Sequence, residues 1–217
     1  MSKYIGPVCK LCRREGIQLY LKGQRCYTVK CPFLKPRRDS RATGPLPPGR
    51  GPLKFRPRPT DYGTQLREKQ KVRRIYGLME RQFKDYFRRA ERMGGVTGAN
   101  LLIQLERRLD NVVYRAGLAT SRRQARELIA HRHFTVDGRV VTIASYQVKA
   151  GQLVEANGNT AGKDFFKAIR QQTSARPVPR WLTVEREAGR AAVLALPTRE
   201  DIQEPIDEQQ IVNLYSR

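Results

Sequence analysis

The sequence predicts an α+β fold built in four parts: a cysteine-rich N-terminal segment, an extended basic arm, a mainly helical stretch, and a helix-turn-helix joined to a small antiparallel sheet. Three observations carry this expectation. Apolar residues recur near a 3.6-residue period between Leu66 and Ile129, and the period drops to two after His133. All four cysteines fall within residues 1–35. Residues 36–60 hold seven of the chain's thirteen prolines and no periodic apolar pattern, so that stretch cannot build a core of its own. With 217 residues, 39% of them hydrophobic, the rest of the chain is long enough to bury one.

In the first part, Cys9-x-x-Cys12 and Cys26-x-x-x-x-Cys31 form two close pairs. Such pairs present four sulfurs to one tetrahedral point, the arrangement that zinc requires. Two disulfides or an iron–sulfur cluster are competing uses of the same ligands, and the first needs an oxidising compartment. Lys10, Arg13, Arg14, Arg25 and Lys30 flank the cysteines, where cations are expected to lower the thiol pKa values. With four protein ligands filling the coordination sphere, a bound zinc has a structural role.

The helical stretch starts at Gln65. Leu66, Val72, Ile75, Tyr76, Met79, Phe83, Phe87 and Ala90 share one period until Gly94-Gly95 stops it, with Arg67, Lys69, Lys71, Arg73 and Arg74 expected to face outward. A second helix carries Leu101, Leu102, Leu105, Leu109, Val112 and Val113 and ends at Gly117. Ser121 opens a third, with Gln124 three residues later as in a capping box, and buries Ala125, Leu128 and Ile129. Arg122 and Arg123 occupy its first turn, where the helix dipole disfavours cations. A phosphate held by the free amides and two guanidiniums would reverse that sign. Arg126 follows on the same face, His131, Arg132 and His133 close the helix, and Arg139 lies just past the next turn. The resulting edge of donors suits an RNA backbone.

Phe134 and Val136, then Asp137-Gly138, then Val140 and Val141 read as a hairpin with a two-residue turn. A second strand pair is expected around Lys149–Gln152, with Tyr146 and Val148 before it and Leu153 and Val154 after. Residues 157–163 read as a polar loop. Leu182–Val184 and Ala192–Leu196 are strand-like, and a last helix capped by Asp207 and Gln210 carries Ile211, Val212 and Leu214.

The charge is extreme: 43 Lys+Arg against 20 Asp+Glu leave +23, and 31 of the cations are Arg. Arginine in such excess favours phosphate, which its planar fork bonds through two oxygens at once. The excess is +13 over residues 1–60, +9 over 61–140 and +1 over 141–217, so the partner is expected along the first two-thirds. The longest apolar run, Ala191–Leu196, is far too short to span a bilayer, the N-terminus has no apolar signal core, and no basic helix has a broad Trp/Phe/Leu face. The expectation is an intracellular protein with a nucleic-acid partner, no membrane and no small-molecule substrate. No carboxylate, Cys or Ser stands near His131 or His133 to complete a catalytic set.

Residues Leu118–Glu155, containing SRRQARELIAHRHFTVDGRVV and SYQVKAGQLVE, resemble the RNA-binding domain named after ribosomal protein S-four. GPVCKLCRREG, YLKGQRC, QLREKQKVRRIYG, ERRLDNVVYRAG, LPTREDI and the terminal EQQIVNLYSR extend the resemblance to the bacterial S-four family over nearly the whole chain. The resemblance implies a non-enzymatic, cytoplasmic component of the small (30S) subunit. Such a protein binds 16S ribosomal RNA as a primary binder, organises the 5′ domain, and lines the path by which messenger RNA enters, beside proteins S-three and S-five. It implies one zinc per chain on Cys9, Cys12, Cys26 and Cys31. It also implies RNA contacts at Arg13, Arg14, the Gln65–Tyr76 helix (Arg67, Lys69, Lys71, Arg73, Arg74, Tyr76), Tyr114, Arg115, Ser121, Arg122, Arg123 and Arg126. Lys10, Arg25, Arg50, Arg56, His131 and Arg139 join them on charge and position. The expected parts are 1–35, the arm 36–60, a helical domain 61–97, an inserted S-four-type domain 98–156, and a C-terminal segment 157–217 returning to the helical domain.

Two stretches depart from the family pattern. Pro48-Gly49-Arg50-Gly51 stands where a Pro-Gly-Gln-His-Gly segment is usual, and Glu155-Ala156-Asn157-Gly158 replaces a basic stretch. The competing class is an RNA-modifying enzyme bearing the same small domain, to which Arg108-Leu109-Asp110 has a superficial likeness. The triplet is expected mid-helix, with Asp110 as the ion partner of a nearby Arg. A zinc-finger DNA regulator is a third class, but no basic recognition helix follows the cysteines.

Overall fold

The computed structural model describes residues 4–35, 45, 47–49, 58–158 and 164–216. Most of the expected arm, with Arg50 and Arg56, and the loop at 159–163 lie outside them. The chain forms two compact units, Met1–Asp85 with Pro205–Arg217, and Tyr86–Glu204.

In the first unit, helix α1 (Cys9–Glu15) and a 3-10 turn (Gly23–Tyr27) precede helix α2 (Asp61–Ile75). α2 starts at Thr60, whose Oγ1 accepts the Gly63 amide at 3.1 Å, with Asp61 at the positive end of the dipole. The expected helix through Met79 and on to Ala90 is in fact two. Gly77 adopts φ 63°, and the Gly77 and Leu78 amides bond back to the carbonyls of Arg74 (3.2 Å) and Arg73 (2.9 Å). This closure needs a left-handed residue, which glycine supplies without a Cβ clash. Helix α3 (Glu80–Glu91) starts afresh. α2 packs on the C-terminal helix α8 (Glu208–Tyr215), capped by Asp207 as expected, with Val72, Ile75, Tyr76 and Ile211 buried. Its inward stripe is Gln65, Lys69, Val72 and Ile75. Leu66 is half-buried and Met79 exposed, because the turn at Gly77 rotates Met79 out of phase.

In the second unit the predicted second helix is also two, α4 (Thr97–Glu106) and α5 (Leu109–Arg115). Arg108 between them is extended (φ −65°, ψ 136°) and bridges Gln147. The Leu109 amide donates to Tyr146 O and the Val148 amide to Arg107 O, each at 2.9 Å. Tyr146–Val148 therefore pairs with this break and not, as expected, with the strand after Gln152. Helix α6 (Arg122–Ala130) begins at Ser121, whose Oγ accepts the Gln124 amide at 3.2 Å. Strands β1 (Phe134–Val136) and β2 (Arg139–Val140) form the expected hairpin, with Asp137 at φ 49° and Gly138 at φ 77°. Asp137 also accepts the Leu153 amide and the Gln152 side chain, which pins the turn to strand β3 (Leu153–Ala156). Helix α7 (Asp164–Thr173) was not anticipated; it buries Phe166, Ile169 and Thr173. Strands β4 (Leu182–Glu185) and β5 (Arg190–Val193) complete an antiparallel sheet of order β2-β1-β3-β5-β4. β5 thus starts two residues before the expected run Ala192–Leu196 and ends three residues before it does. The C-terminal segment is divided: β4 and β5 extend the sheet of the second unit, and only Pro205–Arg217 joins the first.

A charged lattice lies beneath α4, α5 and α6. Glu106, 1% exposed, accepts from Arg115 Nε (3.1 Å) and Nη2 (2.8 Å) and from Asn111 Nδ2 (2.8 Å). Arg115 also donates to Glu204 at 2.7 Å, and Arg122 joins Glu204 (3.1 Å) to Asn111 (2.7 Å). The Tyr114 ring lies between the Arg122 and Arg176 guanidiniums at 4.5 and 4.3 Å. Beside it, Arg108 grips Asp110 through two bonds of 3.0 and 2.8 Å, and Arg126 reaches the same carboxylate at 2.6 Å. Burial pushes the Glu204 carboxyl up, but Arg115 and Arg122 outweigh it and hold the pKa at about 2. Glu106 is lowered by the same contest.

A depressed carboxylate contributes stability that is complete above its unfolded pKa of about 4.3 and is lost as pH falls toward the folded value. Unfolding of the second unit, followed through the single tryptophan Trp181, should therefore become easier between pH ~4.3 and ~2. Glu204→Gln should lower stability at pH 7 by on the order of 2–3 kcal/mol and flatten that acid limb. An unchanged limb would show that Glu204 is not held ionised by its arginines.

Candidate nucleic-acid interface

The N-terminal segment gathers the four cysteines between α1 and the strand-less loop that follows it. Cys12, Cys26 and Cys31 are buried, Cys9 is half-buried, and all four thiols are free. The Lys22 amide donates to Cys26 Sγ at 3.3 Å, and Gln18 Nε2 reaches Cys31 Sγ at 3.6 Å and the Cys26 carbonyl. The expected lowering of thiol pKa by flanking cations is corrected at Cys12. Burial pushes that thiol up to about 11, a backbone hydrogen bond with Leu19 opposes it, and Cys26, Cys9 and Cys31 add repulsion. Burial likewise raises Cys26. Among the described residues, no group of three or more His, Cys, Asp or Glu could hold a metal ion as placed. The donor set itself, four thiols with amide N–H groups aimed at sulfur, has the chemistry of a tetrathiolate site. Lys10, Arg14 and Arg25 around it are exposed, and Arg13 is half-exposed.

Several cations expected to face RNA are instead held by the chain's own carboxylates. On α2, Arg67 and Arg74 converge on Glu15, whose side chain is 1% exposed. Lys69 is buried, 2.6 Å from Glu80 and over the Tyr215 ring. Lys71 pairs with Glu68, and Arg73 lies 3.5 Å from Glu80. Tyr76, Tyr114 and Ser121 are buried, so neither ring can stack on a base. Arg115, Arg122 and Arg126 belong to the lattice. The phosphate site expected from Arg122 and Arg123 together is therefore corrected. Glu204 and Asn111 turn Arg122 inward, while Arg123 stays 48% exposed and 3.6 Å from Glu127. The dipole penalty at the start of α6 is offset by an internal anion. Asp110 is closed off by Arg108 and Arg126, as an ion partner and not as an accessible carboxylate, and Arg108 caps α5 instead of lying mid-helix.

The cations that do reach the surface lie elsewhere. His131 and Arg139 are exposed with Arg132 along the helix end and hairpin of the second unit, and Arg132 holds φ 64° there. On α3, Phe83, Tyr86, Phe87 and Ala90 are buried while Arg81, Lys84, Arg88 and Arg89 are exposed, with Arg92 just beyond the helix. Arg81, Lys84 and Arg88 recur at spacings of three and four and share one face. Their period is readable in the sequence as the polar complement of the apolar face.

The two arginines at the start of α6 should behave oppositely. Arg122→Gln strands Glu204 and Glu106 among fewer cations and should destabilise the free protein by about 3 kcal/mol or more. Arg123→Gln should stay within about 0.5 kcal/mol. Equal effects in denaturant titrations of the two variants would contradict the assignment of Arg122 to the interior.

A family model described as "Ribosomal protein S4/S9 N-terminal domain" matches residues 3–106, and one described as "S4 domain" matches residues 107–154. Proteins named "Small ribosomal subunit protein uS4" are similar along their full length. Those of Caldicellulosiruptor bescii, Halothermothrix orenii and Geobacter sp. are 53%, 52% and 51% identical over 217 residues, covering all of this chain and all of each relative. With likeness running from end to end at about half identity, the chain belongs to the bacterial uS4 family of small ribosomal subunit proteins.

Proposed function

We propose that the chain is a structural, non-enzymatic component of the small ribosomal subunit in the cytoplasm and binds 16S ribosomal RNA. The observation that carries this is the full-length likeness to proteins of that name. Two features of the molecule support it. The exposed faces of the N-terminal segment, α3 and the hairpin carry cations in excess, the footprint a phosphate backbone requires. The Arg108–Asp110 pair, the feature nearest to a catalytic motif, is buried and closed on itself. Among the described residues, no helix is long and apolar enough to cross a membrane.

Finer roles follow from the same reading: early binding that organises the 5′ domain, a place beside proteins S-three and S-five, and cationic contact with incoming messenger RNA. One zinc per chain on Cys9, Cys12, Cys26 and Cys31 belongs to it too. Four free thiols in one short segment, three of them buried, repel each other once ionised, and a dication relieves that repulsion. Bound there, zinc would tie α1 to the 3-10 turn.

Binding to a 16S 5′-domain transcript should weaken steeply with salt. The triple variant Arg81→Gln, Lys84→Gln, Arg88→Gln should flatten the log–log slope by about two, near 0.7–0.9 per lost phosphate contact. An unchanged slope would remove α3 from the interface. Metal analysis of anaerobically purified protein should give one zinc per chain. Iron with a cluster absorbance band, or two mapped disulfides, would overturn the zinc assignment.

A further inference from the structure

Tyr20 and Tyr27 stand out in the first unit because two stacked aromatic rings remain partly exposed there. Their rings stack with centroids 5.2 Å apart and planes inclined by 30°, yet they are 39% and 52% exposed. Stacked aromatic surface normally goes to the core, where its area is removed from water. Tyr20 moreover sits at φ 52°, a left-handed conformation that costs a residue with a large side chain. The loop around the pair is firmly anchored. Leu19 points inward beside Tyr20, Gly23 and Cys26 are buried, and the Lys22 amide is fixed to Cys26 Sγ. The strain at Tyr20 is thus held by its neighbours and turns its ring outward onto that of Tyr27.

The charges around the rings are one-sided. Lys22, Arg25 and Lys30 are exposed on the same short segment. The one acid among residues 4–35 is Glu15, which is buried against Arg67 and Arg74. A ligand for such a surface offers flat π faces together with negative charge. Duplex RNA hides its base faces in its own stack, whereas loops and bulges expose them. We propose that the Tyr20–Tyr27 pair is a stacking platform for an unpaired RNA base, with Lys22, Arg25 and Lys30 taking the adjacent phosphates. This rests on the RNA-binding reading above and names the element of RNA that the N-terminal segment selects.

The test compares the full-length parent with Tyr27→Leu, Tyr20→Leu/Tyr27→Leu and Tyr27→Phe on a 16S 5′-domain transcript, scoring affinity across a salt series. Tyr27→Leu should weaken binding about five- to one-hundred-fold without changing the salt slope, and Tyr27→Phe should stay within about twofold. Melting curves and metal content of each variant report whether the segment remains folded. If the leucine variants fail to fold, photocrosslinking of the parent to a 5-iodouridine transcript decides. Crosslinks at Tyr20 or Tyr27 support the platform, and crosslinks confined to other residues overturn it. Leucine variants that fold and bind as the parent does also overturn it while leaving RNA binding in place. Variants that bind RNA normally but no longer join subunit proteins would reassign the rings to a protein contact. A parent that does not bind the transcript removes both the platform and the functional reading.

Discussion

Three carboxylates, the buried Glu106 and Asp110 and the part-buried Glu204, organise the interior of a chain that carries far more positive charge than negative. Between them they hold Arg108, Arg115, Arg122 and Arg126. Taking any one of these ions out of water costs several kcal/mol, recovered only when partners and hydrogen bonds are complete. Here they are nearly complete: Asn111 bridges Glu106 and Arg122, and Arg176 binds the carbonyls of Tyr114, Ala119 and Thr120. The lattice fixes where α4 ends, how α5 meets α6, and which way the first turn of α6 faces. The hydrophobic core of Leu109, Val113, Ile129, Phe134 and Val154 packs in the frame so defined.

Arginine consequently has two separate uses. Those facing Glu106, Asp110 and Glu204 are paired with the chain's own carboxylates. Those on the outer face of α3 and at the hairpin keep solvent on their guanidiniums and the field of the chain's excess charge around them. A pattern of cations in the sequence does not by itself tell the two apart, since both serve anions. The difference lies in whether the anion belongs to the chain.

What could be read from the sequence was local. Asp137-Gly138 specifies its turn because both residues tolerate positive φ, and Ser121 specifies the start of α6 because its hydroxyl reaches an amide three residues on. The spacing of the four cysteines predicts a shared site, and the zinc assigned to it above is a proposal. What could not be read depends on distant partners. Arg122 faces inward because of Glu204, 82 residues away. The helix breaks at Arg108 because Gln147 and Tyr146 offer its backbone a partner that a helical period cannot reveal. The break between α2 and α3 at Gly77 is hidden because the apolar residues on either side of it keep nearly the same period in the sequence. Neither the dipole at the start of α6 nor the family resemblance fixes the direction of an arginine side chain, so the inward arginines read as RNA contacts.

The division between inner and outer arginines is tested most directly by arginine-selective modification with phenylglyoxal, read by peptide mass spectrometry on the free protein and on its complex with 16S 5′-domain RNA. Arg81, Arg88, Arg123 and Arg139 should react in the free protein, with protection by RNA at α3 and the hairpin. Arg108, Arg122, Arg126 and Arg176 should stay unreactive in both states. Rapid modification of Arg122 in the free protein, abolished by RNA, would contradict the account and return that residue to the interface.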